Sequence, residues 1–327
     1  MRGGYGPNQP YTRMAARALQ LWQGHERQWN RKFLHKAGVL WMAHGDDAFE
    51  RASLAELRAA GLAYQEFSAA ELKKRWPQIN CEDVNWGFLE TEAGYLMARA
   101  SCHAVVDGFV AEGGEYLEGA VVTKGIEESR WDRLSLSNGS QLVADQYVFA
   151  CGPWLGKIFP QVLGDKISAT KQDVFFFGTP VGDPRFDDQN LPVWADHRNQ
   201  FFYGIPGNEG RGFKIADDTR GPVFDPTWGE RTVSAEKLKA VREYMAFRFP
   251  GMKDAPLVET RVCQYENTPD HNLIIDRHPA KENAWIVGGG SGHGFKHGPA
   301  VGETVAELVT TQKTPEAVFR LKRFGSQ

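Results

Sequence analysis

Two stretches concentrate groups able to do chemistry. The first, Gly288-Gly-Gly-Ser-Gly-His-Gly-Phe-Lys296, carries five glycines in its first seven residues. Glycines let the backbone approach a ligand closely and take positive φ. A helix start just beyond such a loop offers free N–H groups and a partial positive charge, which suit an anionic group. Gly289, Gly290, Ser291, Gly292, His293, Gly294, Phe295 and Lys296 are therefore candidate ligand contacts, against the plainer reading of a simple strand-to-helix loop. The second stretch is Arg261-Val-Cys-Gln-Tyr265, followed by Thr268-Pro-Asp270 and Leu273-Ile-Ile-Asp276. A thiol reacts as thiolate, which a neighbouring cation favours; taken alone, Cys263 reads more readily as an inert buried cysteine.

The elements that must hold these groups follow from periodicity. Apolar residues at Met14, Ala18, Trp22, Trp29 and Phe33 predict a helix over Tyr11 to Phe33 with one buried stripe. Val39 to Met42 reads as a short strand. Ser53…Glu56 and Ser68…Glu71 each match a capping box and predict short helices ending at Gly61 and Pro77. A helix is expected from Met97 to Ala111, then strands at Tyr116–Val122, Leu134–Leu136 and Gln146–Ala150, the last running into Cys151-Gly-Pro-Trp154. From Thr170 to Val262, alternating segments such as Val174–Phe177 and Phe201–Tyr203, broken by Gly and Pro, predict an antiparallel sheet interrupted by a helix over Ala235–Phe249. Ala284–Val287 reads as a buried strand, and a helix follows from Pro299 to Thr311. The expected fold class is α/β (α+β), with α/β pieces at both ends and in the middle interleaved with a β-rich block.

Composition sets the outer limits. The chain has 327 residues, 42% hydrophobic and 24% charged, as an ordinary globular protein has. A net charge of −3 leaves no basic surface for nucleic acid. No apolar run is long enough for a membrane span, and the opening MRGGYGPNQPYTR has no apolar core of a signal peptide. Cys81, Cys102, Cys151 and Cys263 are scattered without a C-x-x-C pair, which argues against zinc, predicts no metal, and fits a reducing, cytoplasmic setting.

Taken in order, R-x-C-x-Y-x-x-T-P-D, then I-I-D, then G-G-x-S-G-H-G-F-K, with Cys263 lying 33 residues before Lys296, the pattern resembles the monomeric sarcosine oxidase and N-methyltryptophan oxidase family. These belong to the D-amino-acid-oxidase-like flavoproteins, with the fructosyl amine oxidases among them. The resemblance covers nearly the whole chain and is clearest from Phe201 to Glu303. It implies a discontinuous FAD-binding domain, 1–33, 97–167 and 268–327, and a substrate domain, 34–96 and 168–267. It implies FAD joined to Cys263, with the glycine loop at the flavin edge that becomes anionic on reduction. Hydride would pass from the carbon beside a secondary amine to the flavin; water would hydrolyse the imine, and oxygen would be reduced to hydrogen peroxide. Arg2, in Arg2-Gly-Gly-Tyr5-Gly6, and Lys296 would grip the substrate carboxylate. Tyr203 and Tyr265 would line its pocket, and Lys214, in Gly212-Phe-Lys-Ile215, would serve oxygen reduction. Without the resemblance, Lys214 reads as a surface lysine at a strand edge. Cys151, Gly152 and Trp154 resemble a turn touching FAD, and Val121-Val122 a strand meeting its adenine, although both stretches read equally as core.

Two departures stand out. No G-x-G-x-x-G opens the chain, so the expectation is that roughly 50 residues of a dinucleotide-binding start are missing and that FAD binding is weakened or lost. A histidine of the family's pattern is replaced by Asp218, beside Asp217. That acid either tilts the pocket toward a cationic or hydroxyl-rich substrate or sits in a solvent-facing turn. The alternatives to an oxidase are a dehydrogenase with a non-oxygen acceptor and a remnant unable to hold FAD.

Overall fold

The computed structural model describes residues 1–119, 121–122, 130–198 and 200–325. It divides into two compact units: Met1–Ser101, Gln172–Gly221 and Glu230–Cys263 form the first, and Cys102–Lys171, Pro222–Gly229 and Gln264–Gln327 the second.

The first unit is built on an eight-stranded sheet with strands in the spatial order Leu257–Asn267, Ser168–Phe177, Phe213–Asp217, Phe201–Ile205, Val193–His197, Val39–Ala43, Trp86–Glu90, Tyr64–Ser68. The expected antiparallel pairing holds for Phe201–Ile205 with both its neighbours. Val193–His197, by contrast, runs parallel to Val39–Ala43, with Val193 opposite Val39 and Asp196 opposite Met42. Parallel strands need a long crossover, and about 150 residues of chain separate these two.

Side chains alternate across the strands and give the sheet two apolar faces. On one, Leu40, Met42, Trp194, Phe202, Phe213 and Ile215 join Val241, Tyr244 and Met245 of the helix Ala235–Arg248 in a common core. Gly204 stands opposite Trp194 because a Cβ there would overlap the indole and the Lys214 carbonyl. Asp196 and Arg248 are fully buried on this face and satisfy each other: Asp196 accepts from Arg248 Nε and from the Tyr244 hydroxyl, both at 2.9 Å, and meets His44 Nε2 at 2.7 Å. The opposite face carries Val39, Trp41, Phe88 and Ala195 and, further along the sheet, Val174, Phe176 and Ala216.

The first helix covers Gln9–Trp29, shorter than expected, and ends at Asn30 in the left-handed region with φ 48°. Residues 1–33 cluster with the sheet in the first unit. The reason is a set of buried anchors: the Gly3 and Gly4 amides donate to the Glu90 carboxylate at 2.6 and 3.0 Å, and Trp41 Nε1 donates to the same group at 2.8 Å. The Ser68–Glu71 capping box forms with both halves present. Ser53 does not cap a helix. The helix there runs Ala48–Ala59, and Ser53 Oγ instead donates to the Phe49 carbonyl and accepts from the Gly6 amide at 2.7 Å.

The second unit has a three-stranded sheet in which Ala284–Gly288 pairs antiparallel with Ile274–Arg277 and parallel with Tyr147–Phe149. Trp131, Tyr147, Phe149, Phe159, Ile274 and Ile286 form its core. The helix Gly298–Thr311 follows the glycine-rich stretch. Of the expected strand Tyr116–Val122, only Val121–Val122 is a strand, pairing with Leu134–Leu136; residues 120 and 123–129 lie outside the described residues. Among the described residues no helix is long and apolar enough to cross a membrane.

Candidate active site

Three of the residues singled out from the sequence share the second face of the large sheet. Tyr203 is on Phe201–Ile205, opposite Ala216, and Lys214 is on the neighbouring strand between Ile205 and Phe176. The Lys214 ammonium lies 5.3 Å from the centre of the Tyr203 ring, within cation–π reach. Its strand has partners on both sides, so Lys214 is not an edge lysine. An aromatic row extends from Tyr203 to Phe201 (6.1 Å) and on to Trp41 (6.2 Å). Arg2 closes the row: its guanidinium carbon is 5.1 Å from the Trp41 ring and 4.3 Å from Tyr5, and it donates to the Gly4 carbonyl. The sequence reading missed Trp41, Phe201 and Tyr5; alternation along Val39–Ala43 and Phe201–Ile205 was the signal that could have placed two of them beside Tyr203.

Asp218 follows the Lys214 strand and donates its amide to the Phe201 carbonyl at 2.9 Å. Its carboxylate pairs with Arg220 at 3.1 Å, so the charge it adds is largely offset. Asp217 is buried and pairs with Lys237 at 2.5 Å. Neither aspartate is therefore a bare acid in an open turn. Cys263, the last residue of the first unit, is exposed, not buried as the cysteine reading alone would have it.

The second unit holds the other candidates. After Gly288 the chain turns through positive φ at Gly289 (69°), Ser291 (44°) and Gly292 (85°) before a short 3-10 turn over Phe295–His297 leads into the helix. Part of the glycine content serves internal packing. A Cβ at Gly292 would overlap the Tyr265 ring, one at Gly289 would come 2.7 Å from Thr268, and one at Gly288 would strike Leu155. Lys296 is half-buried and donates to the His293 carbonyl at 2.8 Å, and His293 Nε2 meets the His271 carbonyl at 3.0 Å. Cys151 opens the 3-10 turn Gly152–Trp154, with Gly152 at φ 53°. Burial pushes its thiol upward, and the nearby Glu266 adds to that. Trp154 Nε1 donates to Thr227 at 2.8 Å. For Val122 the structure gives the strand alone.

Glu266 went unread although it lies inside the quoted motif. Its Oε1 accepts the Gly290 amide at 3.2 Å and its backbone carbonyl accepts the Ser291 amide at 3.0 Å. Its Oε2 is buried with no partner. Burial raises its pKa against the pull of the Gly290 and Gly289 amides. An unsatisfied buried oxygen costs about 1–3 kcal/mol, which a bound group can recover. A glycine turn at a helix start, a lysine within it and an orphaned acid behind it fit a large cofactor with an edge that becomes anionic.

Comparison with known proteins agrees with this fit. A model of the family described as FAD dependent oxidoreductase matches residues 1–308. Monomeric sarcosine oxidase of Bacillus sp. (strain NS-129) is 28% identical, the match covering 99% of this chain and 84% of that one. Human peroxisomal sarcosine oxidase is 27% identical over 97% of this chain and 82% of its own length. Among solved structures, L-proline dehydrogenase from P. horikoshii superposes with TM-score 0.87 at 22% identity, covering 99% of this chain and 85% of that one. Glycine oxidase from Geobacillus kaustophilus gives 0.78 at 18%, covering 98% and 85%. Likeness at that identity speaks to the fold, and the family match to the cofactor: the chain belongs to the FAD dependent oxidoreductase family.

Proposed function

We propose that the protein oxidises the CH–NH bond of a small amino acid carrying a secondary amine, sarcosine-like, N-methylated or N-fructosylated, and passes the electrons to oxygen. The observation that carries this reading is the row Arg2–Trp41–Phe201–Tyr203–Lys214 on one sheet face. It sets a planar cation at one end and an ammonium at the other, with an aromatic wall between them. FAD, when bound, supplies the acceptor for hydride from the carbon beside the nitrogen.

The side chains supply binding and electrostatics. Arg2, already oriented by Tyr5 and Trp41, would offer a fork for the substrate carboxylate; the sequence resemblance gives Lys296 an anchoring part as well. Tyr203 would shape the pocket, a part the sequence resemblance also gives Tyr265. Lys214, flanked by Ile205 and Phe176, holds a preorganised positive charge where anionic reduced oxygen would form. The turn Cys151–Trp154, the strand at Val122 and the loop from Gly289 to Lys296 would hold FAD, in line with a nucleotide-binding role for the second unit. Cys263, exposed and two residues after Arg261, would carry the covalent link. A reducing compartment such as the cytoplasm suits the scattered cysteines.

The test is a panel of N-methyl and N-fructosyl amino acids, assayed for oxygen consumption and peroxide. With an amine that reduces the bound flavin, Lys214→Met should slow the oxygen reaction about 10²–10³-fold and leave anaerobic flavin reduction nearly unchanged. An unchanged oxygen rate, with turnover sustained instead by a quinone or dye, would move the reading to a dehydrogenase. Acid precipitation should leave the yellow colour on the polypeptide, and Cys263→Ser should release it.

A further inference from the structure

Glu266 sits where the end of the long strand Leu257–Asn267 meets the glycine turn, and two separate hydrogen bonds tie it there. Its carboxyl takes the Gly290 amide and its main chain the Ser291 amide. The space for that carboxyl is made by Gly288, since a Cβ there would stand 2.9 Å from Oε2. The second carboxyl oxygen reaches no donor and no water-exposed surface. A carboxylate needs several donors, and burial of one with an oxygen left unpartnered is unfavourable. A carboxylic acid needs only an acceptor for its one O–H, which leaves the carbonyl oxygen to receive the amide.

We propose that Glu266 is a positioning residue for the flavin: as a neutral acid it fixes the Gly289–Gly290 turn through one oxygen and donates a hydrogen bond from the other to an acceptor of the bound cofactor. Burial acts on the carboxyl in the direction that keeps it protonated, against the opposing amides of Gly290 and Gly289. The titrating neighbour that faces it is Cys151, whose own thiol burial also pushes up. The inference rests on the reading of the chain as a flavoprotein and adds a residue to it. In the sequence Glu266 is an acid between Tyr265 and the Thr268-Pro-Asp270 stretch, with nothing to mark which way it points.

The test uses the full chain carrying Cys263→Ser as the parent, so that the flavin stays exchangeable, titrated with FAD, with flavin dissociation constant and midpoint potential as readouts. Glu266→Gln keeps a carbonyl for Gly290 and an N–H donor for the second position. It should hold FAD within about twofold of the parent and leave the potential unchanged. Glu266→Leu, or Glu266→Ala should the leucine disturb folding, removes both and should weaken FAD binding at least about tenfold and shift the potential. If Gln fails as badly as Leu, the group acts as an accepting carboxylate and the proposal is wrong. If Leu and Ala match the parent, Glu266 only fills space and the proposal is again wrong. A parent protein that takes up no FAD overturns this inference together with the functional reading, an outcome distinct from either of those.

Discussion

The Arg2 guanidinium is held against two aromatic rings and the Gly4 carbonyl, an arrangement that exploits its flat shape as much as its charge. A lysine keeps the charge and loses the plane, so Arg2→Lys is not conservative here. It should lower kcat/KM about 10–100-fold, roughly 1.4–2.8 kcal/mol, chiefly through KM because the proposed contact is with a carboxylate that does not react. Steady-state kinetics on a carboxylated amine against its amide would read this; equal losses on both would remove Arg2 from carboxylate binding. At this scale the motif letters led to Tyr203 and Lys214, and the sheet brings these two together with Arg2. What they did not convey is the material between: Trp41 touches Arg2 across 39 positions of sequence, and no local pattern announces such a pair. Asp218 shows the reverse case, a residue picked out for its charge whose partner Arg220 lay two positions away.

Strands were legible where apolar and aromatic residues run together, as in Val39–Ala43 and Phe201–Ile205, while their order was not. The parallel pairing of Val39–Ala43 with Val193–His197 depends on contacts that chain neighbours do not encode. The first of the two capping boxes failed for a related reason: Ser53 has the right spacing to Glu56, but its hydroxyl serves the Gly6 amide from a distant segment. Gly204 is the element-scale counterpart of a motif residue. A glycine inside a strand weakens it, and here it is tolerated because Trp194 occupies the space of its missing side chain. Gly204→Ala should therefore destabilise the first unit by about 1–3 kcal/mol through overpacking, although alanine suits strands better than glycine. Denaturant midpoints would show it, and a neutral or stabilising result would mean the indole moves aside freely. Lys214 is the next residue along this interface, its carbonyl being the other atom a Cβ at 204 would strike, so the same substitution should also lower the oxygen reaction.

Each unit carries one histidine whose titration pulls its stability in the opposite direction to the other's. In the first unit, His44 is raised above 6.5, mainly by its hydrogen bond to Asp196, against burial and with the Asp83 carbonyl helping. A raised histidine stabilises the fold fully below its unfolded pKa, and that contribution is lost as pH climbs through the folded value. Asp196 is itself held below 3.8: burial would raise it, but His44 and Arg248 outweigh burial, so its share disappears only in strong acid. In the second unit, His278 is lowered to about 4, first by burial and then by Lys281. Its share is complete above 6.5 and fades as pH falls toward 4, roughly 2 kcal/mol by pH 5. Glu266 works the other way within that unit: its raised carboxyl keeps a proton that the unfolded chain gives up more readily, so the fold gains as pH falls, and the clean measurement is a difference between variants. Hydrogen exchange, corrected for intrinsic rates, should show Ile274–Arg277 and Ala284–Gly288 losing protection at pH 5 relative to pH 7 in the parent and much less in His278→Asn. Val39–Ala43 should lose protection as pH climbs above 6.5 in the parent and much less in His44→Gln. Parallel losses in both units at both extremes, unchanged by either substitution, would show that neither histidine governs the acid or alkaline response.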